Sequence, residues 1–205
     1  MTEFGEFQSE PIILASKSPV RAAMLRNSGL KITTAAADID ERSVEAALGN
    51  ELEAEDVALV LAEAKALEVA ARYADTLVVG ADQTLSCETE ILHKAEDDAD
   101  LRKKLLHLSG KTHTLSSAIT IVRNDETLWR TSAQAHLKMR ILTPEYVGRY
   151  LAETLPETLQ SVGGYHLEGI GAQLFERIEG DYFTVLGLPL LPLLSWLRTN
   201  KVLMS

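Results

Sequence analysis

Apolar and polar residues alternate in blocks along the chain, and the first block predicts a strand followed by a helix. The apolar run 11–15 is typical of a buried strand. Ser18 then stands where an N-cap belongs and Pro19 at the first helical position, so we expect a helix to about Asn27 that ends at Gly29. The polar loop between the two elements follows the carboxyl end of the strand, where open α/β sheets bind ligands.

The rest of the chain continues the alternation. The pattern predicts helices over 53–73, 96–108, 144–153 and 190–198, and strands over 32–39, 76–81, 91–93, 112–123, 127–139, 173–178 and 182–186. Asn124-Asp125 predicts a hairpin turn between two of the strands. The predicted fold class is therefore α/β with a mixed sheet, and the length of the chain suits one α/β domain over 1–205 or two small lobes that share a core.

Composition and charge narrow the function. Apolar residues make up 46% of the 205, enough for a buried core. The formal net charge is −10, which argues against broad binding to nucleic acid because such binding needs a basic surface. It leaves a nucleotide possible, since a phosphate site needs only a few cations and a helix N-terminus.

Cysteine usage and hydropathy predict a soluble cytoplasmic protein. Cys87 is the only cysteine, so no disulfide can form within the chain, as in a reducing compartment. No basic residue precedes Lys17, which disfavours a secretory signal. The longest apolar run, 186–197, is interrupted by glycine and proline and is too short for a membrane span.

The segment Ser16-Lys17-Ser18-Pro19-Val20-Arg21 is the first candidate site. It places two hydroxyls and two cations at the predicted start of a helix, whose free N–H groups and positive dipole end favour phosphate oxygens. An ordinary capped helix with solvated charges explains the same residues equally well.

Acidic residues after strands form the second candidate. Asp82 follows the predicted strand 76–81, where it could hold a metal or activate water, or simply cap a turn. Asp38, Asp40 and Glu41 follow another strand, and one of them could share a divalent cation with Asp82. A solvated acidic loop is the simpler interpretation of that cluster.

Three further positions could contact a nucleotide. Lys65 lies in an alanine-rich helix, where a surface position is the usual alternative, and Lys94 could reach phosphate from a loop. Gly163-Gly164 allows close approach of the backbone to a ligand. Tyr165 could stack on a base and Glu168 could accept hydrogen bonds from a base edge, unless the segment is a connecting loop with a packed tyrosine.

Taken together, these segments resemble the Maf family of nucleotide pyrophosphatases, also called septum-formation inhibitors. The resemblance extends from Ile12 to about Arg198. It is carried, in order, by the segments 13–21, 78–83, 108–113, 163–169, 176–182 and 187–190.

The resemblance implies a two-lobed α/β fold similar to inosine-triphosphate pyrophosphatases, and Mg²⁺-dependent hydrolysis of a nucleoside triphosphate to the monophosphate and pyrophosphate. Asp82 matches the catalytic acid of the family, and Asp40 falls where the family often has an acid near the metal. The positions that match its phosphate site are Ser16, Ser18, Arg21, Lys65 and Lys94. A homodimer is also implied, since family members often form one.

Departures from the family pattern bear on the base. Many members have a second arginine where this chain has Val20, Thr where it has Gln83, and Gln where it has Glu168. Gln83 and Glu168 resemble the branch acting on 7-methyl-GTP, whereas Val20 fits neither that branch nor the one acting on dTTP and UTP. Glu168 can accept from N1–H and the N2 amino group of guanine, which favours a purine.

Two other functions share these residues. A protein of the same fold could sense nucleotides without hydrolysing them and act in cell-division arrest through a partner. A phosphatase releasing orthophosphate would differ only in which phosphorus is attacked. Asp82 together with Lys65 and Lys94 favours an enzyme, because a binding protein does not need the acid.

Overall fold

The computed structural model describes residues 7–49 and 52–204 as seven strands and seven α-helices around one sheet. The strands are β1 (Ile12–Ala15), β2 (Ile32–Thr34), β3 (Leu77–Cys87), β4 (Glu90–Leu92), β5 (Thr112–Arg123), β6 (Glu126–Met139) and β7 (Phe175–Glu179). The helices are α1 (Pro19–Asn27), α2 (Glu41–Leu48), α3 (Ala54–Ala70), α4 (Asp98–Leu108), α5 (Pro144–Thr154), α6 (Tyr182–Val185) and α7 (Leu190–Thr199). Short 3-10 helices cover Glu157–Gln160 and Ile170–Leu174.

The sheet is mixed, which confirms the predicted fold class. Its strand order is β2-β1-β3-β5-β6-β7, with β4 paired to β3 outside this path. β1 runs parallel to β2 and β3, while β3, β5, β6 and β7 pair antiparallel. Asn124 has a left-handed φ of 56° in the turn between β5 and β6, as the hairpin prediction requires.

Strand pairing is interrupted along one edge of β3, and this gap is where the polar side chains of the candidate site lie. The pairing of β1 with β3 stops at Ala15 and Gly80, and the pairing of β4 begins only at Leu85. Residues 81–84 therefore have a strand neighbour on the β5 side alone. Asp82 lies inside β3 and opens onto this gap, rather than at the end of a strand as the sequence predicted.

Helix α3 packs unusually close to β3 at this gap. A Cβ atom on Gly80 would lie 2.1 Å from the carbonyl oxygen of Ala62 and 2.8 Å from the Cβ of Ala66. Glycine facing alanine thus allows the two backbones to approach. The approach brings Lys65, on the same face of α3, next to Asp82.

The hydrophobic core divides along the long strands. Leu77, Val79 and Ala81 of β3 belong to a cluster with α1 and α7, while Leu85 and Cys87 belong to a cluster with α4 and α5. Such a division suits two lobes joined by shared strands. Among the helices of the described residues, none has both the length and the apolar character needed to cross a membrane.

Besides β3, which extends past the predicted strand 76–81, three further predicted elements differ from the structure. The strand expected over 32–39 ends at Thr34, and α2, which buries none of its residues, follows it. The segment 182–186 is wrong as a strand: it forms α6, because the Asp181 carboxylate accepts a hydrogen bond from the Thr184 N–H at 3.0 Å and caps a helix. The strand expected from 173 begins at Phe175, after a 3-10 helix.

Candidate active site

A cleft of about 820 Å³ opens at the gap beside β3. Its walls include the loop before α1, the start of α2, Lys65 of α3, the middle of β3, the end of β4, the segment 157–168 and the end of α6. The candidate site residues named from the sequence line this cleft, except Asp38, Asp40 and Gly164.

The loop before α1 forms one end of the cleft as predicted. Ser18 caps α1, since its hydroxyl accepts from the Arg21 N–H at 3.3 Å. The Ser16 hydroxyl accepts from the Ser18 N–H at 3.1 Å and is nearly buried. No acidic residue stands in the first turn of α1, so the positive end of the helix dipole is uncompensated there.

Arg21 is a brace within the site. Its Nε donates to the Gly187 carbonyl and its Nη1 to the Ala81 carbonyl, both at 2.8 Å. Ala81 lies in the unpaired stretch of β3, so the guanidinium substitutes for the missing strand neighbour. Gly187 has a left-handed φ of +95°, which presents its carbonyl to Arg21. Arg21 thereby fixes the loop before α1 to the sheet, a role that the sequence did not indicate.

Lys65 lies buried between two carboxylates. Its Nζ contacts Asp82 Oδ1 and lies 2.8 Å from Glu41 Oε1, while only 9% of the residue is exposed. The surface alternative for Lys65 is therefore wrong. Burial alone would raise the pKa of Glu41, but the hydrogen bond and charge of Lys65 outweigh it and hold that pKa below its ordinary value.

Asp40 and Glu41 separate into different roles. The Asp40 carboxylate caps α2, accepting from the Ser43 N–H at 3.2 Å and the Ser43 hydroxyl at 2.6 Å. Glu41, the next residue, lines the cleft and contacts Lys65. The prediction that Asp40 holds a metal has no supporting contact here, and Glu41 is the acid of the cluster that lies beside Asp82.

An exposed ion pair and a histidine–carboxylate contact join α2 to the segment after β4, and no sequence pattern indicated them. Arg42 lies 3.0 Å from Glu96, and Glu45 lies 3.5 Å from His93. Burial raises the pKa of Glu45, and the charge of Asp82 adds to this while His93 opposes it. These pairs link α2 to the segment that carries Lys94, an exposed residue of the cleft wall.

Gln83 is oriented by the protein. Its Nε2 donates to Ser117 Oγ at 2.9 Å and to the carbonyls of Thr184 and Val185, each at 3.1 Å. Carbonyls can only accept, so the amide group is fixed with its nitrogen toward them. Gln83 therefore offers the cleft its oxygen, an acceptor, because its amide N–H groups already donate within the protein.

The remaining side chains of this end of the cleft differ in exposure. Glu168 is exposed and Val20 is half-buried, and both also line a shallow apolar groove with Met24 and Leu186. Tyr165 is only 5% exposed, and its hydroxyl lies 2.6 Å from Nε2 of buried His113. The structure thus supports the packed tyrosine, not a ring free to stack on a base.

Known proteins resemble the chain over nearly its whole length. A family model described as Maf-like protein matches residues 11–200. A 7-methyl-GTP pyrophosphatase of Mesorhizobium japonicum is 55% identical over 192 residues, covering 93% of this chain and 96% of that protein. A nucleoside triphosphate pyrophosphatase of Nitrobacter winogradskyi is 45% identical over 195 residues, covering 95% and 96%.

Solved structures show a weaker likeness. A HAM1 protein from Coxiella burnetii aligns with 81% of this chain and 98% of its own, at 17% identity and a TM-score of 0.42. The family match and the curated relatives, by contrast, extend through the loop before α1, β3 and the segment 157–168 that form the cleft. The chain therefore belongs to the Maf-like protein family.

Proposed function

We propose that the protein is a nucleoside triphosphate pyrophosphatase that releases a nucleoside monophosphate and pyrophosphate, with a preference for a 7-methylated guanine nucleotide. The observation that carries the proposal is the buried Lys65, which joins Asp82 and Glu41 beside the start of α1. The names of the relatives, 7-methyl-GTP pyrophosphatase and nucleoside triphosphate pyrophosphatase, agree with it.

The triphosphate binds at the start of α1. The hydroxyls of Ser16 and Ser18 and the N-terminal end of α1 lie at the same end of the cleft. Lys17 and Lys94 add positive charge on its walls, and Arg21 keeps the loop in place. These cations create a local site for an anion in a chain whose net charge is −10.

The acidic residues suit a divalent cation, which we propose to be Mg²⁺. Asp82 and Glu41 both contact Lys65 Nζ, so their carboxylates converge on one point of the cleft. Among the described residues, no group of three or more His, Cys, Asp and Glu side chains could hold a metal ion by itself. Two carboxylates completed by substrate oxygens form a set that Mg²⁺ accepts. When bound, the cation neutralises charge on the polyphosphate.

Hydrolysis follows from the position of Asp82. Water attacks phosphorus at the α–β anhydride, the bond to the bridging oxygen breaks, and pyrophosphate leaves. Asp82 orients this water and accepts its proton, while Lys65 holds the carboxylate in place. The positive end of the α1 dipole and the lysines stabilise the charge that develops on the phosphate oxygens.

Hydrogen-bond acceptors in the cleft select the base. Gln83 presents its amide oxygen and Glu168 its carboxylate, whereas the Watson–Crick edge of guanine carries two neighbouring donors, N1–H and the N2 amino group. Methylation at N7 gives the base a positive charge, which the Glu168 carboxylate attracts. Val20, in place of a cation, adds no charge that would repel such a base.

Identification of the products tests the proposal. The protein is incubated with Mg²⁺ and 7-methyl-GTP, GTP, UTP or dTTP, and the products are separated by ion-exchange chromatography. We expect monophosphate and pyrophosphate, fastest from 7-methyl-GTP. Release of orthophosphate, or tight binding without turnover, would contradict the proposal. Asp82→Asn should lower turnover by at least about 100-fold, whereas Asp125→Asn, in the exposed β5–β6 turn, should not change it.

Location and assembly remain predictions. Cys87 is a buried free thiol, which agrees with a reducing compartment, and we propose that the protein is cytoplasmic. The predicted homodimer is tested by light scattering, where the mass of a single 22.5 kDa chain would contradict it.

A further inference from the structure

The segment 161–168, here called the cleft arm, carries Glu168 without forming a helix or a strand. Other parts of the chain hold it by hydrogen bonds. Tyr150 donates its hydroxyl to the Gly164 carbonyl at 3.2 Å, and Lys104 donates to the Val162 carbonyl at 3.3 Å. Since loops without such bonds are mobile, the position of Glu168 depends on these attachments.

The deepest attachment is a bond between Tyr165 and His113. The Tyr165 ring folds beneath the arm, packs edge-on against Phe175 at 4.8 Å, and brings its hydroxyl within 2.6 Å of His113 Nε2. A Cβ atom on Gly163 would lie 2.3 Å from the Tyr165 ring, so glycine is needed there for the ring to fit. His113 belongs to β5 and is 1% exposed.

This polar pair is an unexpected choice for core packing. His113 Nδ1 is buried without a hydrogen-bond partner among the described residues. The imidazole therefore makes its hydrogen bond through Nε2, to the Tyr165 hydroxyl. An unsatisfied buried nitrogen costs stability, and two apolar side chains of similar shape are often as stable as a buried polar pair. The pair therefore contributes something other than stability, namely a directional bond between the sheet and the cleft arm.

We propose that His113 and Tyr165 are positioning residues, which fix the cleft arm to β5 so that Glu168 meets the base. This inference rests on the proposed function, because it assigns the two residues to base selection in the same site. Neither residue takes part in the chemistry at Asp82, so their loss acts on binding of the base more than on turnover.

Three variants separate positioning from packing: Tyr165→Phe, His113→Leu, and the two combined. Tyr146→Phe is the matched control, because the ring of this half-buried tyrosine of α5 lies against Arg140 and, among the described residues, its hydroxyl makes no hydrogen bond to the arm. KM and kcat are measured for 7-methyl-GTP and UTP, amide hydrogen exchange is followed by mass spectrometry over 161–169, and stability is measured by urea denaturation.

Positioning predicts a specific outcome. In Tyr165→Phe the KM for 7-methyl-GTP rises about fivefold, as expected for one lost hydrogen bond, and kcat stays within about twofold. The KM for UTP is unchanged, and exchange across 161–169 accelerates. In the combined variant stability returns to that of the original protein while KM stays high. The control behaves like the original protein throughout.

Other results overturn the inference. If the combined variant regains both the original stability and the original KM for 7-methyl-GTP, the pair serves packing and not positioning. If all three variants keep the original amide exchange over 161–169 and the original ratio of the KM values for 7-methyl-GTP and UTP, the pair has no positioning role. If the original protein hydrolyses no triphosphate, the proposed function fails by itself, and the exchange measurement still decides whether the pair holds the arm. If one of the two single variants does not fold, the other single variant and the combined variant still decide between positioning and packing.

Discussion

Lys65 is the residue on which the charges of the cleft depend. It lies in an alanine-rich helix, buried at 9% exposure, and separates two carboxylates that would otherwise face each other. Without its ammonium, Asp82 and Glu41 are left as uncompensated neighbours. Lys65 thus links the stability of the site to its chemistry.

Lys65→Met should lower both stability and turnover. Methionine keeps much of the volume but removes the charge, which leaves a buried carboxylate unpaired and costs about 3 kcal/mol. We expect kcat to fall by about 100-fold or more, since Asp82 is no longer held in place. Urea denaturation and product assays measure the two effects. Lys103→Met, at an exposed position of α4, is the control; equal losses in both variants would contradict a specific role.

Glu168→Gln should weaken the preference for guanine. The new amide keeps one acceptor but adds a donor where the base also has donors, so we expect kcat/KM for 7-methyl-GTP to fall about tenfold relative to UTP. The ratio of the two kcat/KM values is the measurement. Glu176→Gln, exposed on β7, should leave it unchanged. An identical substrate ranking in Glu168→Gln would exclude base recognition by this carboxylate.

Residue patterns predicted some of these roles and not others. Ser18 and Pro19 follow local capping rules, so the helix start was visible in the sequence. Asp40 and Glu41 are neighbours in one acidic run, and only the direction in which α2 begins decides which of them lies in the cleft. The brace formed by Arg21 depends on carbonyls 60 and 166 residues away, which no local pattern indicates.

At the scale of elements, the contact between α3 and β3 determines where Lys65 lies. Gly80 is the residue that allows this contact, because any side chain would meet the backbone of α3. A backbone cannot move aside as a flexible side chain can, so a substitution must shift the helix itself.

Gly80→Ala should therefore damage folding and activity together. The added methyl would lie 2.1 Å from the Ala62 carbonyl oxygen, and relief of this clash should cost about 2–3 kcal/mol. Lys65 moves with α3, so kcat should fall as well. Gly148→Ala, where the nearest atom is the flexible end of Arg102 at 3.1 Å, should be neutral or slightly stabilising. A Gly80→Ala protein with normal stability and turnover would contradict the close contact.

Elements with their own capping residues and apolar runs were predictable, and those defined by the tertiary structure were not. The helix α1 and the strand β5 have the bounds that the sequence predicted. The strand β3 extends to Cys87, well past the apolar run 77–81, because β5 pairs with its polar half as well. The helix α2 is only eight residues long and buries none of them, so its apolar spacing is too short to separate it from a polar loop in the sequence.

At the scale of the whole molecule, two buried clusters at opposite ends of β3 leave the cleft between them. His113, near the start of β5, is buried against Tyr165 and Phe175 of one of these clusters, where burial disfavours a charged imidazole. Its environment therefore makes the stability of the entire domain depend on pH.

Burial lowers the pKa of His113 from 6.5 to about 4. Between these values the unfolded chain binds a proton that the folded protein excludes, so stability is complete above about pH 6.5 and declines as the pH falls toward 4. The loss should reach about 3 kcal/mol, from 1.36 kcal/mol per pKa unit. Urea denaturation across this range measures it. His113→Leu should have a shallower decline, because the exclusion of this proton is gone, while His136→Gln, an exposed histidine of β6, should follow the original protein. Parallel curves for His113→Leu and the original protein would show that the buried imidazole does not control the acid stability of the domain.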